Sequence, residues 1–156
     1  MRVYLAGPIF SQAERDWLDR LAATLRGEGF ECFVPHEHLT ELAEPTPAVV
    51  YAFDIEALRR SEAMLAWLDG PIVDDGTAAE IGAFAQLVHA SPDRYRGIVG
   101  LVSDLRLERR RGRVAGDGMN LFLSGAITAG GQICWSSEQA VAALHALART
   151  ETLPDS

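Results

Sequence analysis

The chain contains no lysine, and all 14 of its Lys and Arg positions are arginine. This absence excludes two kinds of site, a Schiff-base lysine and the lysine of a phosphate-binding P-loop. Asp and Glu together number 22, and the resulting net charge of -8 argues against nucleic acid as the main partner. Carboxylates are therefore the most abundant candidates for chemistry in this chain.

Cysteine and long apolar runs are also scarce. The only two cysteines, Cys32 and Cys134, are far apart and form no C-x-x-C pair, so the sequence predicts neither a disulfide framework nor a zinc knuckle. Each lies in a strand-like run and is expected to be a small buried side chain. No apolar run approaches the ~18 residues of a membrane span, and the first ten residues lack the layout of a signal peptide. We therefore expect a cytoplasmic protein with no membrane partner.

Strand and helix signals alternate along the chain. Short runs rich in β-branched and aromatic residues predict five strands, and apolar residues at helical spacing predict the helices between them. This alternation is typical of a parallel sheet covered on both sides, so we predict an α/β, flavodoxin-like, doubly wound three-layer fold. One domain should span residues 1–148, followed by a loose tail at 149–156. The predicted strands cover 2–7, 30–35, 63–70, 97–104 and 132–136, the predicted helices cover 11–29, 47–61, 76–90 and 137–149, and 36–47 is predicted as a polar, proline-rich loop.

Ligands of open parallel sheets bind beyond the carboxyl ends of the strands. The loop after the third predicted strand, with the turn that follows it, carries Asp69, Asp74, Asp75 and Glu80. One interpretation is structural: Thr77 and Glu80 form a T-x-x-E capping box, with Asp75 as a further cap. The other is catalytic. An ionised carboxylate in the first helical turn can attack the anomeric carbon of a sugar, while a second carboxylate, kept protonated, assists the leaving group.

Three other patterns have competing interpretations. His36 and His38 alternate as metal ligands do on a strand, but no third ligand is apparent, and we predict no metal site. The arginine-rich stretch 104–114 is expected to be a solvated loop or a subunit contact, with a phosphate site as the alternative. Phe10 lies just beyond the first strand, where its ring could stack on a flat base.

Several segments together resemble the nucleoside 2-deoxyribosyltransferase family. They are YLAGPIF at 4–10, Asp54 in the second predicted helix, AWLDG with DDGTAAEIG between 66 and 82, and DLR with MN in the last third of the chain. The resemblance covers about residues 3–135 and implies a flavodoxin-like fold. It also implies an enzyme that attacks C1' of a 2'-deoxynucleoside with a glutamate, forms a covalent deoxyribosyl intermediate, and passes the sugar to a second base with retention, using no cofactor.

The resemblance implies a role for each matching residue. Glu80 matches the nucleophile, and Tyr4 matches the tyrosine that positions it. Asp74 matches a base-contacting carboxylate that serves as proton donor, and Asp54 matches the other base-contacting aspartate. Phe122 stands where well-known transferases of the family have methionine. The further residues that the resemblance places at the substrate are Phe10, Gly7, Gly76, Asn120 and Phe122 itself.

The resemblance also implies partners and leaves alternatives open. Asn120 matches an asparagine that a neighbouring subunit contributes to the 5'-hydroxyl, so we expect a homo-oligomer of dimers, up to a hexamer, with shared active sites. The expected ligands are 2'-deoxynucleosides and nucleobases, in nucleotide salvage. A related branch hydrolyses nucleoside 5'-monophosphates, and Ser11 and Arg113 could hold the phosphate there. A non-catalytic nucleotide-binding domain is the third interpretation.

Overall fold

The computed structural model describes residues 1–41, 44–105 and 119–149. These residues form five strands, five α-helices and one 3-10 helix. In chain order they are β1 Arg2–Ala6, α1 Gln12–Gly27, β2 Glu31–Phe33, the 3-10 helix Pro35–Glu41, α2 Pro47–Arg60, β3 Ala63–Trp67, α3 Asp75–Ala90, β4 Gly97–Leu101, α4 Leu121–Thr128, β5 Gln132–Cys134 and α5 Ser137–Arg149.

The five strands form one sheet in the order β2-β1-β3-β4-β5, and every neighbouring pair is parallel. The strand order changes direction between β1 and β3, because the chain passes from β1 outward to β2 and then returns to β3. A crevice opens at such a point, beyond the carboxyl ends of the strands. The predicted α/β, five-stranded parallel fold is confirmed.

Two apolar cores lie on the two faces of the sheet. On one face, the alternate strand residues Val3 and Leu5 pack against Leu18 of α1 and Leu144 of α5. On the other face, the intervening residues of the strands pack against α2, α3 and α4. Strand side chains alternate between faces, so neighbouring residues of β1 enter different cores. Tyr4 of β1 belongs to the core on the second face.

Local signals explain where α1 and α2 begin and end. Ser11 caps α1 in a reciprocal capping box with Glu14, and Gly29 follows the helix with a φ of 88° that favours glycine. Thr46 caps α2, and Pro47 occupies its first turn. The predicted helices at 11–29 and 47–61 are therefore present, with α1 at Gln12–Gly27 and α2 at Pro47–Arg60.

Three features differ from the sequence predictions. The predicted loop at 36–47 begins with the 3-10 helix, and α4 was not predicted at all. The sequence of α4, LFLSGAIT, is short and nearly all apolar, so its helical period is hard to recognise. The predicted strands also run too far at their carboxyl ends. Leu68 and Val102 each keep one backbone bond to the neighbouring strand, but the chain leaves the sheet there.

The remaining expectations have mixed outcomes. Cys134 is buried as predicted, but Cys32 is only partly buried, and both are free thiols. Within the described residues, no helix has the length and apolar character that a membrane crossing requires. Arg149 is still the last residue of α5. The rest of the predicted tail, and residues 106–114 of the arginine-rich stretch, lie outside the described residues.

Candidate active site

A hydrogen bond between Tyr4 and Glu80 lies at the centre of the site. Tyr4 is in β1 and is fully buried, and its hydroxyl donates to Oε1 of Glu80 over 2.6 Å. Glu80 is in the second turn of α3 and is partly buried. The two residues are 76 positions apart in the chain, so the parallel sheet and its covering helix bring them together.

Aromatic rings support Tyr4 from the side of β2. Its ring stacks on Phe33, with centroids 5.3 Å apart, because Tyr4 and Phe33 are partners in the sheet register. The ring of Phe33 in turn stacks on His38 at 4.7 Å and contacts Phe53 at 5.8 Å. Sequence reasoning missed this support, although the short F-x-C-F spacing of β2 could have indicated an aromatic neighbour. The packing restricts the direction in which the Tyr4 hydroxyl points.

The surroundings of Glu80 raise its pKa to about 7. Burial is the main cause, the hydrogen bond from Tyr4 opposes it, and the negative charges of Asp54 and Asp74 raise the pKa further. Burial also raises the pKa of Asp54. The pKa of Tyr4 is raised far above its usual range by burial and by Glu80 and Asp54, so Tyr4 remains the donor.

The expected stabilisation of the Glu80 anion by the helix N-terminus is therefore wrong. Glu80 lies in the second turn of α3, beyond the exposed N–H groups that would favour a negative charge. A carboxyl whose pKa is about 7 exchanges its proton close to neutral pH. Such a group can act as an anion without being permanently ionised.

Asp74, rather than Thr77, caps α3. The backbone N–H and the hydroxyl of Thr77 both donate to Oδ2 of Asp74, each over 2.9 Å. The predicted T-x-x-E capping box is wrong because α3 begins at Asp75, which makes Thr77 a buried residue of the first turn. Asp75 is the first helical residue and not the cap. Glu80 is thus free of a capping role and bonds to Tyr4 instead.

Asp69 joins two strand ends. Its carboxylate accepts bonds from the backbone N–H and hydroxyl of Ser103 and from the backbone N–H of Asp104. These bonds tie the loop after β3 to the end of β4. The sequence grouped Asp69 with the other carboxylates but could not indicate this role, because its partners are 34 and 35 residues away.

The loop between β1 and α1 carries two of the predicted substrate contacts, Gly7 and Phe10. A Cβ on Gly7 would lie 3.0 Å from Leu18 and 3.4 Å from Trp67, so only glycine fits there without displacing a neighbour. The Phe10 side chain is 77% exposed. Arg15, which sequence reasoning missed, holds the loop by donating to the carbonyls of Ile9 and Phe10 over 2.7 and 3.0 Å.

Gly76 lies directly beside the capping carboxylate. A Cβ at this position would be 3.3 Å from Oδ2 of Asp74, which is tight. Its backbone N–H donates to Asp75 over 2.8 Å. Gly76 therefore leaves room around the carboxylate of Asp74.

Asn120 and Phe122 lie apart from the Tyr4–Glu80 pair. Oδ1 of Asn120 caps α4 by accepting from the backbone N–H groups of Phe122 and Leu123. The Phe122 side chain is 86% exposed. A cavity of about 670 Å³ lies between α3 and α4 and includes both residues in its lining, together with Ala78 and Gly82. Among the described residues, no hydrogen bond or ring contact joins Asn120 or Phe122 to Glu80.

The two histidines considered as metal ligands face different partners. Nε2 of His36 lies 2.7 Å from Oδ1 of Asp19, whereas His38 stacks on Phe33. In the part of the chain that the structure describes, no three His, Cys, Asp or Glu side chains are grouped so that they could hold a metal ion.

Comparison with known proteins identifies the family. The sequence profile of the family described as nucleoside 2-deoxyribosyltransferase matches residues 3–110, which is more than half of the chain. The chain belongs to this family. Membership indicates an enzyme that acts on small nucleoside substrates. A comparison with curated protein sequences finds no significant match.

Solved structures share the fold. A conserved protein from Enterococcus faecalis V583 is 25% identical with a TM-score of 0.76, covering 94% of this chain and 98% of its own. A 2-deoxyribosyltransferase from Bacillus psychrosaccharolyticus is 20% identical with a TM-score of 0.66, covering 90% of each chain. The CMP N-glycosidase from Clostridium botulinum is 17% identical with a TM-score of 0.54, covering 94% and 99%. The fold therefore occurs in a transferase and in a hydrolase.

The raised pKa of Glu80 predicts that its removal stabilises the protein at higher pH. The unfolded chain ionises this carboxyl near pH 4.5, but the folded chain does so only near pH 7. The free energy of unfolding of the wild type therefore falls as the pH rises from about 4.5 to about 7, because the folded chain holds the Glu80 proton more tightly than the unfolded chain does. The total loss is up to about 3 kcal/mol. Relative to wild type, Glu80→Gln should gain that much free energy of unfolding between about pH 5 and pH 8, measured with urea. A gain that does not change with pH would contradict the prediction.

Proposed function

We propose that this protein is a nucleoside 2-deoxyribosyltransferase that moves 2-deoxyribose between nucleobases with retention of configuration at C1'. The observation that carries the proposal is the 2.6 Å hydrogen bond from buried Tyr4 to Glu80, whose pKa the nearby charges of Asp54 and Asp74 raise further. A held carboxylate with a pKa near neutrality is suited to nucleophilic attack on an anomeric carbon. The setting of the reaction would be nucleotide salvage in the cytoplasm.

The first step forms a covalent intermediate. Tyr4 holds Oε1 of Glu80, so Oε2 attacks C1' as the bond between C1' and the base nitrogen breaks. The electron pair of that bond goes to the base, which takes up a proton as it leaves. A second base then attacks C1' from the original side, passes its ring N–H proton to the carboxylate that protonated the first base, and releases Glu80, so two inversions give net retention. Each step uses a carboxylate or a proton of the chain, and the proposal includes no cofactor.

We assign the proton donation to Asp54 and keep Asp74 as a base-contacting and capping residue. Oδ2 of Asp74 accepts two hydrogen bonds from Thr77, so this oxygen is already engaged in the cap of α3. Asp54 is partly buried, and that burial raises its pKa, which favours the protonated form. A general acid must carry a proton when the base leaves, so Asp54 suits the role better.

Replacement of each aspartate by asparagine should separate these roles. Asp54→Asn should lower kcat with deoxyinosine by about 10²- to 10⁴-fold, because a general acid is lost. With 7-methyl-2'-deoxyguanosine, whose base leaves without a proton, Asp54→Asn should approach the wild-type rate. Asp74→Asn keeps a capping side chain and should show no such dependence on the leaving group. Steady-state kinetics with both substrates makes the comparison. Selective rescue of Asp74→Asn instead would reverse the assignment.

A second copy of the chain is proposed to complete each site. Leu121, Phe122 and Ile72 are 63%, 86% and 79% exposed, which is unusual for side chains of this size so close together in one region. They lie at or beside the cavity that includes Asn120. Oδ1 of Asn120 is engaged in capping α4, but its amide nitrogen can donate to the 5'-hydroxyl of a nucleoside bound in the partner.

Subunit mixing tests this shared site. Glu80→Ala and Asn120→Ser each damage a different part of the site, and serine keeps a capping oxygen for α4. If the site combines residues of two chains, co-expression of the two variants should restore activity, up to about a quarter of the wild-type level for random dimers. Size-exclusion chromatography should show a dimer or larger species. A monomer, or a mixture no more active than its components, would contradict the shared site.

The nucleoside 5'-monophosphate hydrolase remains the second candidate, because the CMP N-glycosidase shares the fold. The described residues give it less support. The hydroxyl of Ser11 accepts the backbone N–H of Glu14, and the Glu14 carboxylate accepts the backbone N–H of Ser11 over 2.6 Å. These bonds lower the pKa of Glu14, so a phosphate at this helix end would meet a negative charge. Arg113 lies outside the described residues.

A chromatographic assay distinguishes the candidates. Purified protein with deoxyinosine should form deoxyadenosine only when adenine is added. Glu80→Ala should abolish this exchange while its thermal unfolding remains cooperative, and Glu56→Ala, at an exposed carboxylate of α2, should retain it. Release of free base and sugar phosphate from deoxyguanosine monophosphate, independent of adenine, would establish the hydrolase. Binding without any turnover would indicate a non-catalytic domain, and wild-type exchange by Glu80→Ala would remove Glu80 from the mechanism.

A further inference from the structure

One face of α2 runs from the core toward the carboxyl ends of the strands. Leu58, Asp54 and Tyr51 occur at helical spacing and share this face. Leu58 is 1% exposed and packs in the same core as Tyr4, and Asp54 is partly buried. Tyr51, at the other end of this row, is 69% exposed. Tyr51 thus lies at the exposed, N-terminal end of a row whose other members are partly or fully buried.

This position places Tyr51 above the carboxylates of the site. Asp54 is close enough to raise the pKa of both Tyr4 and Glu80. Tyr51 lies one turn, ~5 Å along the helix, from Asp54. Its Cα–Cβ bond tilts toward the N-terminus of α2, away from the core. A flat ligand with its edge at Asp54 would therefore have the Tyr51 ring beside its face.

Tyr51 differs from the other tyrosines of the chain. Tyr4 and Tyr95 are buried, and each has ring contacts and a hydrogen bond from its hydroxyl. Tyr51 has no hydrogen bond or ring contact to any residue in the described ranges. An aromatic side chain that is exposed beside a polar crevice can supply a stacking surface with little loss of conformational entropy.

We propose that Tyr51 is a specificity-determining residue that stacks on the nucleobase, both of the bound nucleoside and of the acceptor base. This inference rests on the proposed function and adds to it a preference for purines, because the two fused rings of a purine offer a larger face than one pyrimidine ring. Stacking binds the base equally before and during bond cleavage. It should therefore lower KM and leave kcat nearly unchanged.

Kinetics of three variants tests the inference. Tyr51→Ala should raise KM for deoxyinosine and for the acceptor adenine about tenfold, within the range found when an aromatic residue that stacks on a base is removed. The rise should be smaller for the acceptor cytosine, and kcat should change little. Tyr51→Phe keeps the ring and should resemble wild type. Val49→Ala is the matched control, because Val49 lies on the same helix but about 140° around its axis from Asp54. This variant should keep the wild-type KM and kcat.

Size and binding measurements separate the possible failures. An unchanged KM in Tyr51→Ala, with normal exchange by the wild type, would overturn the role of Tyr51 and leave the proposed function intact. A raised KM accompanied by a smaller oligomer in size-exclusion chromatography would assign Tyr51 to a subunit contact and also overturn the inference. If the wild type exchanges no bases, the proposed function fails. Calorimetric titration with adenine then decides: weaker binding by Tyr51→Ala supports stacking, and equal or absent binding overturns it.

Discussion

The hydrogen bond between Tyr4 and Glu80 is the interaction on which the site depends. It links the central part of the sheet to the helix that covers it, and both groups are largely removed from water. A carboxylate in such a place loses much of its hydration, and the tyrosine hydroxyl replaces part of it with a bond of fixed direction. The stacked rings of Phe33 and His38 limit how far the tyrosine can turn. The position of one oxygen atom of Glu80 is thus determined by the packing of two strands and a helix.

The carboxylates at the crevice fall into two groups with different surroundings. Asp69 and Asp74 accept hydrogen bonds from backbone N–H and hydroxyl groups, and they stabilise loops and a helix end. Asp54 and Glu80 are held where burial raises the pKa of each. The first group stabilises the local fold, and the second reduces stability at neutral pH. Both groups of carboxylates lie near the carboxyl ends of the strands. The hydrogen-bonded group thus gives the reactive carboxyls a rigid support.

Sequence reasoning predicted the fold well where the signals are local. Five strands and four helices were predicted because apolar period, caps and glycines all agree within each segment. The proximity of Tyr4, Asp54, Asp74 and Glu80 followed from the resemblance to the family and from the rule for strand ends, and the structure brings these four together. The helix α4 was missed because an eight-residue segment that is nearly all apolar shows no clear helical period. The capping box was wrong because D-x-x-T and T-x-x-E overlap in DDGTAAE, and only the position of the helix start decides between them.

The register of β1 has a consequence for how the protein acquires activity. Tyr4 pairs with Phe33 on one side and with Met64 on the other. Strand side chains alternate between faces, so a slip of one residue would turn Tyr4 away from Glu80 and into the opposite core. A chain with a misaligned sheet could retain much of its helical content and still lack the site entirely. Enzymatic activity therefore requires the correct register of β1. The site forms only when β1 is aligned with its neighbouring strands during folding.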